Sequence, residues 1–199
     1  MKIINRCKIS NGEISDIHGL CFSSEENCLK RLLKDYYKSE QISYPKFYKM
    51  DEQCKLALIA TEVLLRNFER EDYKDEEIAL VFANSESTLA TDMSFWESTF
   101  TIASPGLFVY TLPNIMMGEI AIRNKIKGEN IFFISEEYDA KLLYQQTELV
   151  FLNTPAQIAI VGWVNYQNEE LYSAKLFLIS KLNDGMNTFN FENFTTLNN

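Results

Sequence analysis

The chain has 199 residues, of which 46% are hydrophobic and 24% are charged, and its formal net charge at pH 7 is −9. This length fits one domain with a hydrophobic core of its own, and the scarcity of glycine (7) and proline (4) excludes a collagen-like or low-complexity chain. The acidic balance argues against binding to nucleic acid or to an anionic membrane surface, because both partners require clustered lysine and arginine.

Hydrophobic periodicity and turn signals predict helices and strands in the order β-α-α-β-α-α-β-α-β-β. The predicted elements span residues 3–9, 23–37, 51–67, 78–83, 85–100, 113–125, 130–134, 136–153, 157–165 and 172–181. Helices that alternate with apolar strands are typical of a mixed α/β fold. We therefore expect one domain over residues 1–182, built on a five-stranded sheet with helices on its faces, and a polar tail over residues 183–199.

Polar signals mark the element boundaries in the first part of the chain. Asn11 and Gly12 are typical of a tight turn after the first strand. Ser23 or Ser24 is expected to cap the first helix, with Glu25 and Glu26 in its first turn. Asp51 is expected to cap the second helix. The second helix is apolar nearly all round, which predicts that most of its surface is buried.

Further along the chain, residues 78–83 form a continuous apolar run that predicts a central strand covered on both faces. The helix predicted over residues 113–125 has Pro113 in its first turn, where the missing N–H loses no hydrogen bond. Glu119 and Arg123 lie four residues apart in this helix, in the order that favours an ion pair between them.

The spacing of scarce residues excludes several common sites. No two glycines are spaced as in GxGxxG, the P-loop or GxSxG. The single histidine, His18, is followed by Cys21 and Cys28, but the fourth ligand of a zinc site is missing and the spacing is irregular, so we expect no metal and no cofactor. Cys7 and Cys54 complete the cysteines, and the lack of CxxC spacing favours free thiols in a reducing cytoplasm.

Neither membrane insertion nor secretion is predicted. The longest uninterrupted apolar run, at residues 158–164, is far shorter than the roughly 20 residues that span a bilayer. Residues 1–6 lack the apolar segment of a secretory signal. We therefore expect a cytoplasmic protein that neither spans nor binds a membrane.

Residues 104–114, with the sequence SPGLFVYTLPN, and residues 118–120, with the sequence GEI, carry a family signal. This region resembles the N-terminal half of β-ketoacyl synthases (3-oxoacyl-ACP synthases), and in particular the variants found beside aryl-polyene and flexirubin-type pigment genes. The dipeptide at residues 50–51 and the tripeptide at residues 162–164 lie where that family would place them. The resemblance covers residues 3–181 and implies a single thiolase-like half, a βαβαβαββ unit that full-length condensing enzymes carry twice.

The resemblance also implies where a catalytic residue would lie. In the family a nucleophilic cysteine stands at the N-terminus of the helix that follows the strand at residues 130–134, and counting from Gly128 places that position near Glu137. Ser135 is expected to cap this helix instead, with Glu136 and Glu137 in its first turn. The family's catalytic histidines lie in the second half, which the match does not include, so no catalytic residue is assigned.

Three functions remain open after this comparison. We favour a non-catalytic β-ketoacyl synthase-like half that acts as a partner or scaffold, in the manner of a chain length factor, in fatty-acid or polyene and polyketide biosynthesis. The second is an active 3-oxoacyl-ACP synthase or other acyltransferase, which would need an acyl-accepting nucleophile. The third is an acyl-binding module with a pocket lined by Phe108, Tyr110, Met116 and Met117, although such a cluster is more often core than pocket.

The expected partners follow from the same reasoning. A ketoacyl synthase is preferred to an acyl carrier protein, because carriers are themselves acidic and would be repelled. A homodimer is also expected, since the strand at residues 130–134 has no charge to block edge pairing and the helix at residues 136–153 is apolar over more than one face. The residues expected to line an acyl pocket or an interface are Phe108, Tyr110, Thr111, Asn114, Met117 and Phe133. Thr111 or Asn114 is also expected to cap the helix that Pro113 opens.

Overall fold

One mixed sheet with helices on both faces organises the computed structural model, which describes residues 1–24, 26, 28–182 and 187–196. The strands are Lys2–Ser10 (β1), Glu13–Asp16 (β2), Gly19–Ser23 (β3), Ile78–Asn84 (β4), Asn130–Ile134 (β5), Ile158–Tyr166 (β6), Tyr172–Ser180 (β7) and Asn187–Thr188 (β8). The helices are Leu29–Ser39 (α1), Glu52–Leu65 (α2), Leu89–Ser98 (α3), Pro105–Phe108 (α4), Ile115–Asn124 (α5), Ala140–Asn153 (α6) and Phe191–Thr196 (α7). The predicted α/β class is confirmed. Over the described ranges, no helix has both the length and the apolar composition needed to cross a bilayer.

The strand order of the sheet is β3-β2-β1-β7-β6-β4-β5, and β8 pairs with β1. β4 runs parallel to β5 and β6, whereas the other pairs are antiparallel. All the predicted strands are present, but the expected number of five is wrong. The sequence pattern does not predict β2 and β3, because they have only four and five residues and few apolar positions at which alternation could show. β8 lies in the segment predicted to be a polar tail.

The predicted turn after the first strand opens a hairpin. Asn11 and Gly12 have positive φ angles of 51° and 76°, the backbone of a two-residue hairpin turn. β1 and β2 pair directly across it, beginning with Ser10 opposite Glu13. The Gly12 N–H also donates to Tyr172 Oη at 2.8 Å, which ties the turn to β7.

The sequence predicts the N-cap of α2 correctly but not that of α1. α2 is buried as predicted, with ten of its 14 residues inaccessible, and Asp51 caps it by accepting from the Cys54 N–H at 2.9 Å. The serine cap expected for α1 is wrong, because Ser23 ends β3 and Cys28 occupies the N-cap without a side-chain capping bond. Of the two glutamates expected in the first turn of α1, Glu26 precedes the helix and Glu25 lies outside the described residues.

The sheet separates two hydrophobic clusters, and β4 shows how. Three of its side chains face the cluster shared with α1, α2 and α5, namely Ile78, Leu80 and Phe82. The alternate three face the cluster shared with α6 and α7, namely Ala79, Val81 and Ala83. This alternation is the period of a strand, and a strand buried on both faces gives a continuous apolar run. The predicted interior strand is therefore confirmed.

The described part of the predicted tail packs on the sheet. Phe189 and Phe194 are buried, and the Phe194 ring lies 4.8 Å from the ring of Phe177 in β7. Phe191, by contrast, is exposed. Apolar side chains in an otherwise polar segment thus extend the core on the α6 side, while the domain boundary at residue 182 stays a prediction.

Candidate functional site

The segment that carries the resemblance, residues 104–114, folds as one helical turn followed by a 3-10 turn. Ser104 caps α4, since its Oγ accepts from the Leu107 N–H at 3.3 Å. The Thr111 hydroxyl donates to the Phe108 carbonyl at 2.8 Å, and the Thr111 carbonyl accepts from Thr88 Oγ1 at 3.1 Å. The prediction that Thr111 caps the next helix is wrong, because its hydroxyl closes the preceding turn.

The next helix, α5, begins at Ile115, after Pro113 rather than around it. Leu112, which precedes the proline, has extended backbone with φ −83° and ψ 123°, as a residue before proline prefers. Asn114 occupies the N-cap, but its side chain makes no capping bond. Both the expected start of this helix and its side-chain cap are therefore wrong, because the proline keeps the chain extended before the helix.

Glu119 is a buried acid on α5, with 1% of its side chain exposed. Lys46 Nζ lies 2.8 Å from Glu119 Oε1. Tyr110 Oη donates to the same oxygen at 3.4 Å, and Tyr44 Oη donates to Oε2 at 3.4 Å. Burial and then the charge of Glu119 raise the pKa of Tyr110, and the hydrogen bond to Glu119 raises the pKa of Lys46. The cluster is therefore a structural ion pair with a protonated tyrosine beside it.

The expected ion pair between Glu119 and Arg123 is wrong. Arg123 forms a two-pronged ion pair with Glu62 of α2, in which Nε pairs with Oε1 and Nη2 with Oε2. Its guanidinium also lies 5.0 Å from the centre of the Tyr44 ring. The two side chains do not pair with each other, because Glu119 points into the core whereas Arg123 reaches across to α2.

The structure divides the residues expected to line a pocket or an interface. Three are buried together on the α2 side of the sheet, namely Tyr110, Met116 and Met117. Phe108 and Asn114 are exposed, and Thr111 is half-buried. Phe133 lies on β5 and packs against the cluster on the opposite side of the sheet. Tyr110 and the two methionines thus form one group, from which Phe108 and Phe133 are separate, and the proposed roles of all these residues stay predictions.

Glu137, where the resemblance places the nucleophile, lies in the loop between β5 and α6 and is exposed. α6 begins immediately after Asp139, whose Oδ1 accepts from the Leu142 N–H at 2.9 Å. Ser135 Oγ donates to the Glu137 carbonyl at 2.9 Å. The expectation that Ser135 caps this helix, with Glu136 and Glu137 in its first turn, is wrong because the loop extends to Asp139 before the helix starts.

None of the four cysteines lies at the start of α6, where the resemblance places the nucleophile. Cys7 and Cys54 are buried, and burial raises the pKa of both thiols well above the usual range, which keeps them protonated and unreactive. Cys28 Sγ donates to a carboxylate oxygen of Glu169 at 3.5 Å. His18 lies between β2 and β3. In the part of the chain that the structure describes, no group of three or more His, Cys, Asp and Glu side chains is arranged to hold a metal ion.

A cleft of about 560 Å³, which the sequence does not predict, lies between the start of α2, α3 and the β6–β7 turn. Asp51 lines this cleft, and its Oδ2 accepts from Thr91 Oγ1 at 2.6 Å. Glu52 lies 3.8 Å from Lys30 Nζ, and Glu169 accepts from the Lys30 backbone N–H at 2.9 Å. These bonds fix the starts of α1 and α2, so the acidic side chains that line the cleft have a structural role. The only advance sign of it is the expected cap Asp51.

No known protein family and no curated protein sequence matches this chain. Solved structures do match it by shape. A chain of "The ishigamide ketosynthase/chain length factor" matches with a TM-score of 0.65 and 15% sequence identity. That match covers 94% of this chain and 63% of the other, so this chain spans less than two thirds of the ishigamide chain.

Two further structures show the same likeness. A chain of the "Ketosynthase (ApeO) in Complex with its Chain Length Factor (ApeC) from Xenorhabdus doucetiae" has a TM-score of 0.58 and 12% identity, over 91% of this chain and 79% of the other. A chain of the type II polyketide synthase complex AntDE:AntF, an acyl-carrier protein in complex with its ketosynthase, matches with a TM-score of 0.59 and 8% sequence identity. That match covers 90% of this chain and 62% of the other. At these identities the likeness concerns the fold: this chain has the architecture of a single thiolase-like half, which it shares with proteins of the ketosynthase and chain length factor complexes.

Proposed function

We propose that this chain is a non-catalytic ketosynthase-like protein that acts as a partner or scaffold, in the manner of a chain length factor, in polyketide, polyene or fatty-acid biosynthesis. The observation that carries the proposal is the start of α6. In a fold shared with ketosynthase complexes, this helix begins with Asp139 at its N-cap, and its loop contains no cysteine.

The chemistry of condensation explains why this position matters. A thiolate at a helix N-terminus is stabilised by the helix dipole, and the free N–H groups there can bind a developing oxyanion. Here the Asp139 carboxylate binds the Leu142 N–H at 2.9 Å, so that donor already has a partner. A carboxylate in this role stabilises the helix and does not form the thioester that condensation requires.

The first test is an activity assay. The purified chain, incubated with malonyl-loaded acyl carrier protein, is expected to show neither condensation nor malonyl decarboxylation above background. Each ketosynthase encoded in the source genome is then co-expressed with the chain, and one stable complex is expected. Condensation by the chain alone would contradict the proposal, and Glu137→Gln would then be the first variant to assay.

An activity of this chain's own would belong to the acyltransferase class, as in a 3-oxoacyl-ACP synthase. Mass spectrometry after incubation with acyl-loaded carrier protein tests this alternative, because a stable acyl adduct on the chain would establish it. The third function, an acyl-binding module, has less support, because Tyr110, Met116 and Met117 are packed in the hydrophobic core. Fatty acid that co-purifies with the chain would support that function, and purified protein without bound fatty acid would argue against it.

Charge favours a ketosynthase over an acyl carrier protein as the partner. The chain carries a net charge of −9, and acyl carrier proteins are acidic as well, so repulsion would slow their encounter. The four cysteines are free thiols, which fits a reducing compartment and supports the cytoplasm as the location.

We also propose that the chain forms a homodimer through β5. Within the described residues β5 pairs only with β4, which leaves its other edge open. The strand consists of Asn130 followed by four apolar residues, so no charge opposes pairing with a second strand. On α6, Leu149 and Leu152 remain exposed while other apolar side chains pack on the sheet, which agrees with an apolar set wider than one face.

A further inference from the structure

An exposed apolar surface covers α3 and the segment that follows it, and we call it the α3–α4 surface. Its most exposed members are Trp96, Phe100 and Ile102, at 65%, 73% and 85% exposure. The other members, each between 47% and 59% exposed, are Leu89, Met93, Phe108, Val109 and Leu112. Large apolar side chains concentrated in solvent mark an interaction surface on a folded protein.

The backbone beneath this surface is held in place by hydrogen bonds. At the start of α3, Thr88 Oγ1 donates to the Thr111 carbonyl at 3.1 Å. At the other end, the Ser104 N–H donates to Ser98 Oγ at 3.1 Å. A surface that is already ordered loses little conformational entropy when a partner docks on it.

The charged side chains within the segment that forms the α3–α4 surface are all acidic. The sequence contains no lysine or arginine between Lys74 and Arg123, and the charged side chains on α3 are Asp92 and Glu97. Lys30, which lines the cleft beside α3, is already paired with a glutamate. Two copies of this chain joined through the α3–α4 surface would therefore bring acidic side chains together, which disfavours such a pairing.

We propose that the α3–α4 surface is the docking site for a different protein chain, one that presents an apolar hollow ringed by lysine or arginine. Trp96 and Phe100 fill the hollow, because large aromatic side chains contribute most at the centre of an interface. Glu97 meets the basic ring. The inference deepens the proposed function and rests on it, since the occupant is then the ketosynthase partner; the open edge of β5 stays available to a second copy.

The test measures binding of the full chain to each purified ketosynthase of the source genome by isothermal titration calorimetry. For the ketosynthase that binds, Trp96→Ser/Phe100→Ser is expected to raise the Kd at least tenfold, and Glu97→Lys to raise it several-fold. Raising the salt concentration from about 50 to about 500 mM is expected to weaken wild-type binding, because screening reduces attraction between opposite charges. Leu20→Ser is the matched control, since Leu20 is 62% exposed on β3.

The outcomes separate this inference from the proposed function. Undiminished binding of Trp96→Ser/Phe100→Ser, or an equal loss with Leu20→Ser, overturns the inference and leaves the proposed function in place. Failure of the wild-type chain to bind any of the ketosynthases overturns both. Self-association that Trp96→Ser/Phe100→Ser abolishes would assign the surface to a second copy and overturn the choice of a different chain. Circular dichroism checks that each variant is folded.

Discussion

At the scale of single residues, Glu119 anchors the segment of residues 104–119 to the rest of the domain. It is buried on α5, and its cation Lys46 belongs to the 3-10 turn Pro45–Lys49, which lies far from it in sequence. Tyr110, from the segment itself, donates to the same carboxylate oxygen as Lys46. A buried carboxylate requires a paired charge and hydrogen bonds, so these contacts hold α5 and the 3-10 turn together.

The first prediction removes the cation. Lys46→Met is expected to lower the free energy of unfolding by about 2 kcal/mol, because it leaves the Glu119 carboxylate buried without a positive partner. The Lys46 side chain is 43% exposed, so water moderates the loss compared with a fully buried pair. Lys49→Met, exposed in the same turn, is the control and should change stability by less than about 0.5 kcal/mol. Urea unfolding measures both, and equal effects would contradict the role of the ion pair.

The second prediction concerns alkaline pH. The hydrogen bond to Glu119 raises the pKa of Lys46 from its ordinary 10.5, and burial raises the pKa of Tyr110 from its ordinary 10.0. A group whose pKa rises on folding stabilises the native state below its ordinary value, and that stability disappears as pH rises through the raised value. We therefore expect wild-type stability to fall above about pH 10 more steeply than that of Lys46→Met/Tyr110→Phe. The free energy of unfolding of both proteins is measured by urea unfolding between about pH 8 and 11. The same dependence on pH for wild type and variant would refute the prediction.

The third prediction concerns Gly162 in β6. A Cβ at this position would lie 1.9 Å from the Lys175 carbonyl oxygen of β7 and 2.9 Å from its carbonyl carbon. Backbone cannot move aside as a flexible side chain can, so Gly162→Ala is expected to destabilise by more than about 3 kcal/mol or to prevent folding. Gly118→Ala, in α5, is the control: a Cβ there has no neighbour within 4 Å and should be neutral or stabilising. A Gly162→Ala protein that melts like wild type would contradict the close approach.

At the scale of elements, the start of α6 depends on one side chain. The sequence signal for a helix N-cap lies at Ser135, with Glu136 and Glu137 after it. The N-cap of α6 is Asp139 instead, because the chain continues as a loop beyond β5. Residues that could each begin a helix compete locally, and the packing of α6 on the sheet decides where the first turn can lie. The start of α5 differs from the predicted one for a local reason, since the residue before Pro113 has extended backbone.

The fourth prediction tests that cap. Asp139→Ala is expected to lower the free energy of unfolding by about 1 kcal/mol, since the Leu142 N–H loses its acceptor. For a chain of this size that corresponds to a fall in Tm of roughly 2–4 °C. Ser135→Ala, which removes only the bond to the Glu137 carbonyl, should leave the Tm nearly unchanged. Differential scanning calorimetry compares the two variants, and a larger loss for Ser135→Ala would restore the serine as the cap.

At the scale of the whole molecule, the sheet ends in two different edges. β3, at one end, belongs to a hairpin that carries the exposed Leu20, and β5, at the other, presents an apolar strand. An uncharged, unpaired edge tends to recruit another strand. The molecule therefore presents two separate surfaces at which we propose association, the edge of β5 and the α3–α4 surface.

The fifth prediction follows from the first of these surfaces. We expect the chain alone to form a homodimer at micromolar concentration, with about twice the 23.1 kDa mass of one chain in light scattering behind size exclusion. Phe133→Lys is expected to convert it largely to monomer without loss of helical content, because a charge at the edge opposes strand pairing. Leu20→Lys, at the opposite edge, should leave the dimer intact. A wild-type monomer would refute the homodimer, and a Phe133→Lys protein that stays dimeric would place the interface elsewhere.

The sequence by itself determined the elements whose signals are long and local. The apolar run of residues 78–83, the nearly all-apolar helix after Asp51 and the turn at residues 11–12 needed no tertiary information, because burial on several sides and positive φ leave a direct mark on residue type. The resemblance of residues 104–114 likewise led to the thiolase-like fold that the solved structures share.

Only the tertiary structure decided the contacts between residues distant in the chain. Glu119 turns away from Arg123, four residues away, because Lys46 and Tyr110 surround it in the core, while Arg123 finds Glu62 on α2. The short strands β2, β3 and β8 show no clear periodicity, and each forms because a neighbouring strand offers unpaired backbone groups. The ion-pair partner of a side chain, the residue at which a helix begins and the number of strands in the sheet all depend on which groups the packing brings together. Local sequence patterns do not contain that information.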